Sequence, residues 1–342
     1  MKKRSRSRSG MRKLSTGLLV LLTCALVIVV THTYIFLITP RTPPIPLMID
    51  ITPGMSAWQI SRELERQGII TDKTMFMACA VLTGKVTHLQ AGSYVFEGTH
   101  YPFDIVSILF KGRTLKYRIT IPEGSTIYDV GAIVAETGLL SKSDFVRIAT
   151  SPATTEFFGI EVPTMEGFLY PDTYFLAPHM TSLEIMAKMV NRFNEACPAN
   201  IRERSKELGM TMPEVVTLAS IIQKEAVTAS EKPVIASVFH NRLKRNMPLQ
   251  SDPTAVYGID GFRRKILPED LRRVSPYNTY RVQGLPPGPI CSPDARSIHA
   301  ALWPARTGYM FFVSKGGGRH YFSRTYEEHA QAIQMSNAAP PR

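Results

Sequence analysis

Gly17 to Ile38 is a run of 22 residues without Asp, Glu, Lys or Arg. Wound as a helix at about 1.5 Å per residue, it reaches roughly 30 Å, the thickness of a bilayer's hydrocarbon core. The run exceeds the apolar core of a signal peptide, and no Ala-x-Ala-like site follows it, so it reads as one transmembrane helix. Met1 to Lys13 carries seven basic residues and no acid. Lys and Arg flanking a span stay cytoplasmic, so residues beyond Thr39 are expected outside the cytoplasm. A mean hydropathy of -0.03 for the whole chain excludes a polytopic membrane protein and a disordered polyampholyte.

The formal charge of +12 points first to nucleic acid, but the remaining 329 residues hold 33 basic and 28 acidic side chains, net +5. With no Cys-His finger spacing, that mildly basic body fits an anionic polymer or a membrane surface better than a nucleic acid. Pro40, Pro43, Pro44 and Pro46 follow the span and read as a semi-rigid spacer lifting the body off the membrane. His32 is read as reaching the interface, with no function. Cys24 lies in the span, and Cys79, Cys197 and Cys291 form no close-spaced framework.

At 342 residues the chain has room for two folded domains, and a shift of 70 residues exposes a weak repeat. Ile51-Thr-Pro-Gly54 faces Ile121-Pro-Glu-Gly124, and Gly68-Ile-Ile-Thr71 faces Gly138-Leu-Leu-Ser141. Each copy reads as a short strand, a turn, a helix capped by Ser56 or Thr126, and a glycine stop. Gly92–Phe96 reads as a further strand and 103–110 as a helix. The expected organisation is α+β: a basic arm (1–16), the span (17–38), a Pro-rich linker (39–46), a strand-helix-helix-strand module resembling the LysM type (47–118), a second repeat-like module (119–163), a mixed catalytic domain (164–336) and a tail (337–342).

Thr211 and Glu214 have capping-box spacing with Pro213 in the first turn. Val215, Leu218 and Ile222 then recur at helical spacing, and Glu225 takes the next place on that stripe. A carboxyl on the buried face of a helix C-terminus is disfavoured as an anion by desolvation and by the negative end of the helix dipole. Both raise its pKa, as a general acid working near neutral pH requires. The alternative is a structural ion pair with Arg242. Farther on, loops around Gln250, Tyr277 and Gly284 mix amides, hydroxyls and aromatic faces, a mixture that suits saccharides or serves simply as turns. No Gly-rich phosphate loop, His-Glu-x-x-His or Gly-x-Ser-x-Gly is present, so nucleotide, zinc-protease and serine-hydrolase readings lack their marks. Gly316–Gly318 reads as a hairpin turn. No metal or other cofactor is expected.

Glu166-Gly-Phe-Leu-Tyr-Pro-Asp-Thr-Tyr174, Leu218-Ala-Ser-Ile-Ile-Gln-Lys-Glu-Ala226, Ala236-Ser-Val-Phe-His-Asn-Arg-Leu243, Leu249-Gln-Ser-Asp-Pro-Thr254, Tyr277-Asn-Thr-Tyr280 and Gly284-Leu-Pro-Pro-Gly-Pro-Ile290 together resemble the endolytic murein transglycosylases, the MltG or YceG-like family. The resemblance implies a single-pass protein of the cytoplasmic membrane, a lyase that cuts nascent peptidoglycan strands internally between N-acetylmuramic acid and N-acetylglucosamine. It implies 1,6-anhydro ends and termination of glycan elongation. The matching catalytic glutamate is Glu225, and Gln223 stands where many members carry another Glu. Glycan strands and the membrane are then the partners, with cell-wall synthases as further candidates and no nucleic acid. Gln250, Asp252, Tyr277, Asn278, Glu166 and Tyr170 are candidate substrate-binding residues, and Asp252, Glu166 and Asp172 are the second acids a hydrolase would need. The rival reading is a non-catalytic peptidoglycan-binding scaffold of the synthesis machinery.

Overall fold

The computed structural model describes residues 4–43, 45–259 and 266–338. Lys2 and Lys3 of the arm, Pro44 of the linker and the last four residues of the tail lie outside the described residues. The chain forms two compact units, Met1–Lys116 and Tyr117–Arg342.

In the first unit, helix α1 (Arg4–Ile38) contains the apolar run Gly17–Ile38, whose mean hydropathy is 2.4. Strand β1 (Leu47–Ile51), helices α2 (Ala57–Arg66) and α3 (Lys73–Leu82) and strand β2 (Gly92–Phe96) follow, then helix α4 (Pro102–Lys111). β1 and β2 pair antiparallel, Ile49 facing Tyr94. Ser56 caps α2 in a reciprocal box with Gln59, as its position before the apolar periodicity predicts. The second helix between the strands is α3, which periodicity misses because Met, Phe, Ala, Cys, Val and Leu surround it without a polar face. α4, anticipated at 103–110, falls after β2.

The linker is not a free spacer. The backbones of Arg41 and His100 exchange two hydrogen bonds, at 2.8 and 2.9 Å, and the hydroxyls of Thr42 and Thr99 meet at 2.9 Å. Proline keeps this segment extended, and extended chain with free peptide groups pairs with whatever edge lies alongside.

The second unit opens with β3 (Tyr117–Thr120), antiparallel to β4 (Thr173–Leu176). Between them lie α5 (Ile127–Ala135), α6 (Lys142–Ala149) and α7 (Pro152–Phe157), and after them α8 (Ser182–Ala196) and α9 (Ile201–Glu207). Thr126 caps α5 in a box with Asp129, repeating the Ser56 device 70 residues on. One core joins Ile119, Val130 and Phe145 to Phe168, Met186 and Leu218, so residues 119–163 share their apolar interior with those that follow. Helix α10 (Met212–Glu225) runs through this core, flanked by α11 (Lys232–Lys244) and α13 (Ala295–Leu302). Every side chain from Val215 to Ile222 is buried, so α10 has no single apolar stripe and is enclosed on all sides between its first and last turns. The short α12 (Asp252–Val256), the hairpin β5 (Phe311–Gly316) and β6 (Arg319–Ser323), and α14 (Tyr326–Ala338) complete the unit.

Candidate active site

Glu225 is the last residue of α10, where the helix leaves the core and its chain turns outward to the exposed Val227. The residue is half-buried, and Ser251 Oγ donates to its Oε1 at 2.5 Å. Burial pushes the carboxyl up to about 7; the Ser251 hydrogen bond opposes that rise, the negative charge of Asp252 adds to it and the Arg242 charge opposes it. Such a group exchanges its proton near neutral pH.

The Arg242 alternative does not take the form of an ion pair. Arg242 is buried, with Nε donating to Met310 O at 2.7 Å and Nη1 to Leu249 O at 2.9 Å, while its guanidinium lies 5.2 Å from the Phe311 ring centroid. No ion pair within 4.0 Å joins it to Glu225. Its charge acts on Glu225 only at a distance, while its hydrogen bonds hold the loop before α12 against the β5 edge.

That loop carries Ser251, which bonds to Glu225, and Asp252, whose charge acts on it. Ser251 is the N-cap residue of α12, with Pro253 in the first turn. Its backbone N–H donates to Thr279 Oγ1 at 2.9 Å and its carbonyl accepts from Thr254 Oγ1 at 2.6 Å, all buried. Ser before Asp-Pro is a helix-start signature, and reading it would have singled out Ser251 rather than its neighbour. Exposed Asp252 accepts the Tyr280 hydroxyl at 2.6 Å, and Tyr280 too was missed. Gln250, also exposed, has a positive φ of 50°, and its Oε1 lies 3.4 Å from Arg242 Nη1.

Several expected site residues lie elsewhere. Asn278 is wholly buried and its amide is spent on the loop, Nδ2 donating to Leu271 O at 3.0 Å and Arg273 O at 2.7 Å while Oδ1 accepts from Tyr280 N. It shapes the turn that presents Tyr280 and has no group left for a ligand. Tyr170 is core, its ring 6.5 Å from that of Phe193. Asp172 pairs with Arg192 at 2.6 Å. Glu166 is buried beneath the start of α5, accepting from Ile127 N at 3.2 Å and from the Tyr257 hydroxyl at 2.9 Å. Burial pushes it up to about 8, against the pull of those hydrogen bonds. Tyr277 packs on Tyr257 at 4.6 Å and so belongs to the Glu166 cluster. The Gly284 loop lines a cavity of about 580 Å³ with Thr211, Glu214 and Thr217, toward the other end of α10.

Gln223, two residues before Glu225, accepts three hydrogen bonds at Oε1: from Lys232 Nζ at 3.1 Å, Asp294 N at 3.2 Å and Ser297 Oγ at 2.8 Å. Lys232 Nζ is also 2.7 Å from Asp294 Oδ1, both side chains less than a tenth exposed. One ammonium thus serves a carboxylate and an amide, and a buried ion pair fastens the end of α10 to the starts of α11 and α13. No cluster of metal-ligating side chains occurs among the described residues.

The second unit is thus mixed α+β and brings a raised carboxyl, Glu225, to the rim of its core beside the Ser251 hydroxyl. The chain belongs to the YceG-like family, whose model matches residues 49–335. It is 31% identical to the endolytic murein transglycosylase of Bacillus subtilis over 299 residues, covering 83% of each chain. It is 28% identical to the endolytic murein transglycosylase of Streptococcus pneumoniae D39, whose length it spans by 57%. The crystal structure of a YceG-like protein from Listeria monocytogenes superposes with a TM-score of 0.58 at 31% identity, over 84% of this chain and 99% of that one.

Proposed function

We propose that this protein is a membrane-anchored lytic transglycosylase that cuts peptidoglycan strands internally, between N-acetylmuramic acid and N-acetylglucosamine, and so ends their elongation. The observation that carries the reading is the Glu225 carboxyl, without an ion pair among the described residues and raised to about 7 at the end of a buried helix. Glu225 gives its proton to the glycosidic oxygen as the bond from C1 breaks. The muramic acid's own C6 hydroxyl closes on C1, its proton passes to Glu225, and a 1,6-anhydro end results. Atoms balance without water, so no second catalytic acid is needed. Asp252, held by Tyr280, supplies negative charge near the oxocarbenium-like carbon, and Ser251 steadies the carboxylate once it has lost its proton. Gln250 is the exposed amide available to an acetamido group.

The order β1-α2-α3-β2 supports a LysM-like module that binds glycan weakly or positions the catalytic unit. The apolar helix supports a single-pass anchor with the body outside the cytoplasm. Synthases that make the nascent strands are the candidate protein partners.

Glu225→Gln keeps the side chain's shape and removes the transferable proton. Its melting temperature should match wild type while turnover falls by roughly 10² or more. Mass spectrometry of digested peptidoglycan reads the products: anhydro ends, one water lighter than hydrolysed ends, should vanish with the variant. Hydrolysed ends from the wild type, or anhydro ends from the variant, would sink the mechanism.

A further inference from the structure

The last turns of α1 are not separate from the module beside them. Phe36 is 5% exposed and belongs to the same core as Phe76, Tyr94 and Leu109. One turn earlier His32 Nε2 lies 3.5 Å from Asp72 Oδ2, and Thr33 Oγ1 lies 3.7 Å from Met75 Sδ. The module therefore grips α1 from His32 to Leu37, inside the apolar run rather than beyond it.

Helix arithmetic sets the level of that grip. The last basic residue before the run is Lys13, and about 20 residues cross a hydrocarbon core. Counted from Leu14, directly after the basic arm, the outer hydrocarbon edge falls near Thr33, and counted from Gly17 near Phe36, so the end of α1 at Ile38 lies within roughly 7 Å of that edge either way. The Arg41–His100 bridge then ties the start of α4 to the chain three residues past the end of α1. Beside that bridge Tyr101 is 45% and Phe103 43% exposed, and Tyr34 on α1 is 62% exposed. Exposed aromatic rings at the level where a span leaves the hydrocarbon make the belt that membrane-water interfaces favour.

We propose that the first unit docks on the outer surface of the same membrane that α1 crosses, with Tyr101 and Phe103 seated among the lipid headgroups. The docking partner is lipid. The proposal rests on the anchor reading above, because the level of the rings is measured from the span.

The full chain is reconstituted in proteoliposomes of phosphatidylethanolamine and phosphatidylglycerol, with the photocrosslinker p-benzoylphenylalanine replacing Phe103 in one variant and Leu22, within the span, in another. After irradiation both should gain the mass of one phospholipid. A lipid adduct at Leu22 with none at Phe103, or a protein adduct at Phe103 in place of lipid, overturns the docking and leaves the anchor standing. No lipid adduct at Leu22 overturns the anchor and the docking together.

Discussion

Ser251 Oγ bonds to Glu225 Oε1 at 2.5 Å, a contact that favours the carboxylate over the acid. Ser251→Ala therefore raises the Glu225 pKa further. A general acid loses activity as pH rises through its pKa, so the alkaline limb of the kcat profile should move to higher pH in the variant. A limb that stays put or moves down would separate Ser251 from the proton transfer. Glu166 carries a second raised carboxyl, at about 8, against a value near 4.5 in an unfolded chain. A group whose folded pKa is the higher one contributes stability that is fully present below about pH 4.5 and is lost as pH climbs through about 8. Glu166→Gln removes that dependence, so the melting advantage of wild type over variant should shrink steadily across this window, with specific activity unchanged when corrected for folded protein. The position of Glu225 at the edge of the core was legible in the sequence because a charged residue takes the next place in an apolar register. The placements of Glu166, Asn278 and Tyr170 were not, because motif residues that build a loop and those that line a surface share one composition.

Helices with recognised caps were legible: Ser56, Thr126 and Thr211 each begin a helix through a reciprocal box with the residue three positions on, as Thr181 does for α8. Helix α3 was not, although Asp72 caps it, since a helix apolar on every side from Met75 to Leu82 has no period to detect. α10 misleads in a subtler way, because its selected stripe is real but the remaining faces are equally buried. What holds its final turn is the Lys232–Asp294 pair with Gln223 between. Lys232→Met leaves a buried carboxylate unpaired, and breaking such a pair costs about 3–5 kcal/mol, read by denaturant unfolding. Adding Asp294→Asn, which keeps an N-cap for α13, should restore part of that loss. A double variant no more stable than Lys232→Met alone would mean that the pair is not what the helix end depends on.

At the scale of the whole chain, the basic arm and the uncharged run are the most readable features, since they depend on composition rather than on packing. They predict that protease added to intact spheroplasts removes the body beyond Thr39, whereas a body that survives until the membrane is lysed reverses the orientation. The Arg41–His100 and Thr42–Thr99 pairings were out of reach of any local reading, because a proline-rich segment looks the same whether it spans empty space or lies against a neighbour. The enclosure of α10 has a further consequence for the second unit. Its backbone amides, walled in on every face, are freed only when the surrounding core comes apart as a whole. Glu225 ends that helix, so its place is set for as long as the core around α10 holds. Heat inactivation and loss of the fold are then one event, with activity failing at the temperature where the slowest-exchanging amides begin to exchange.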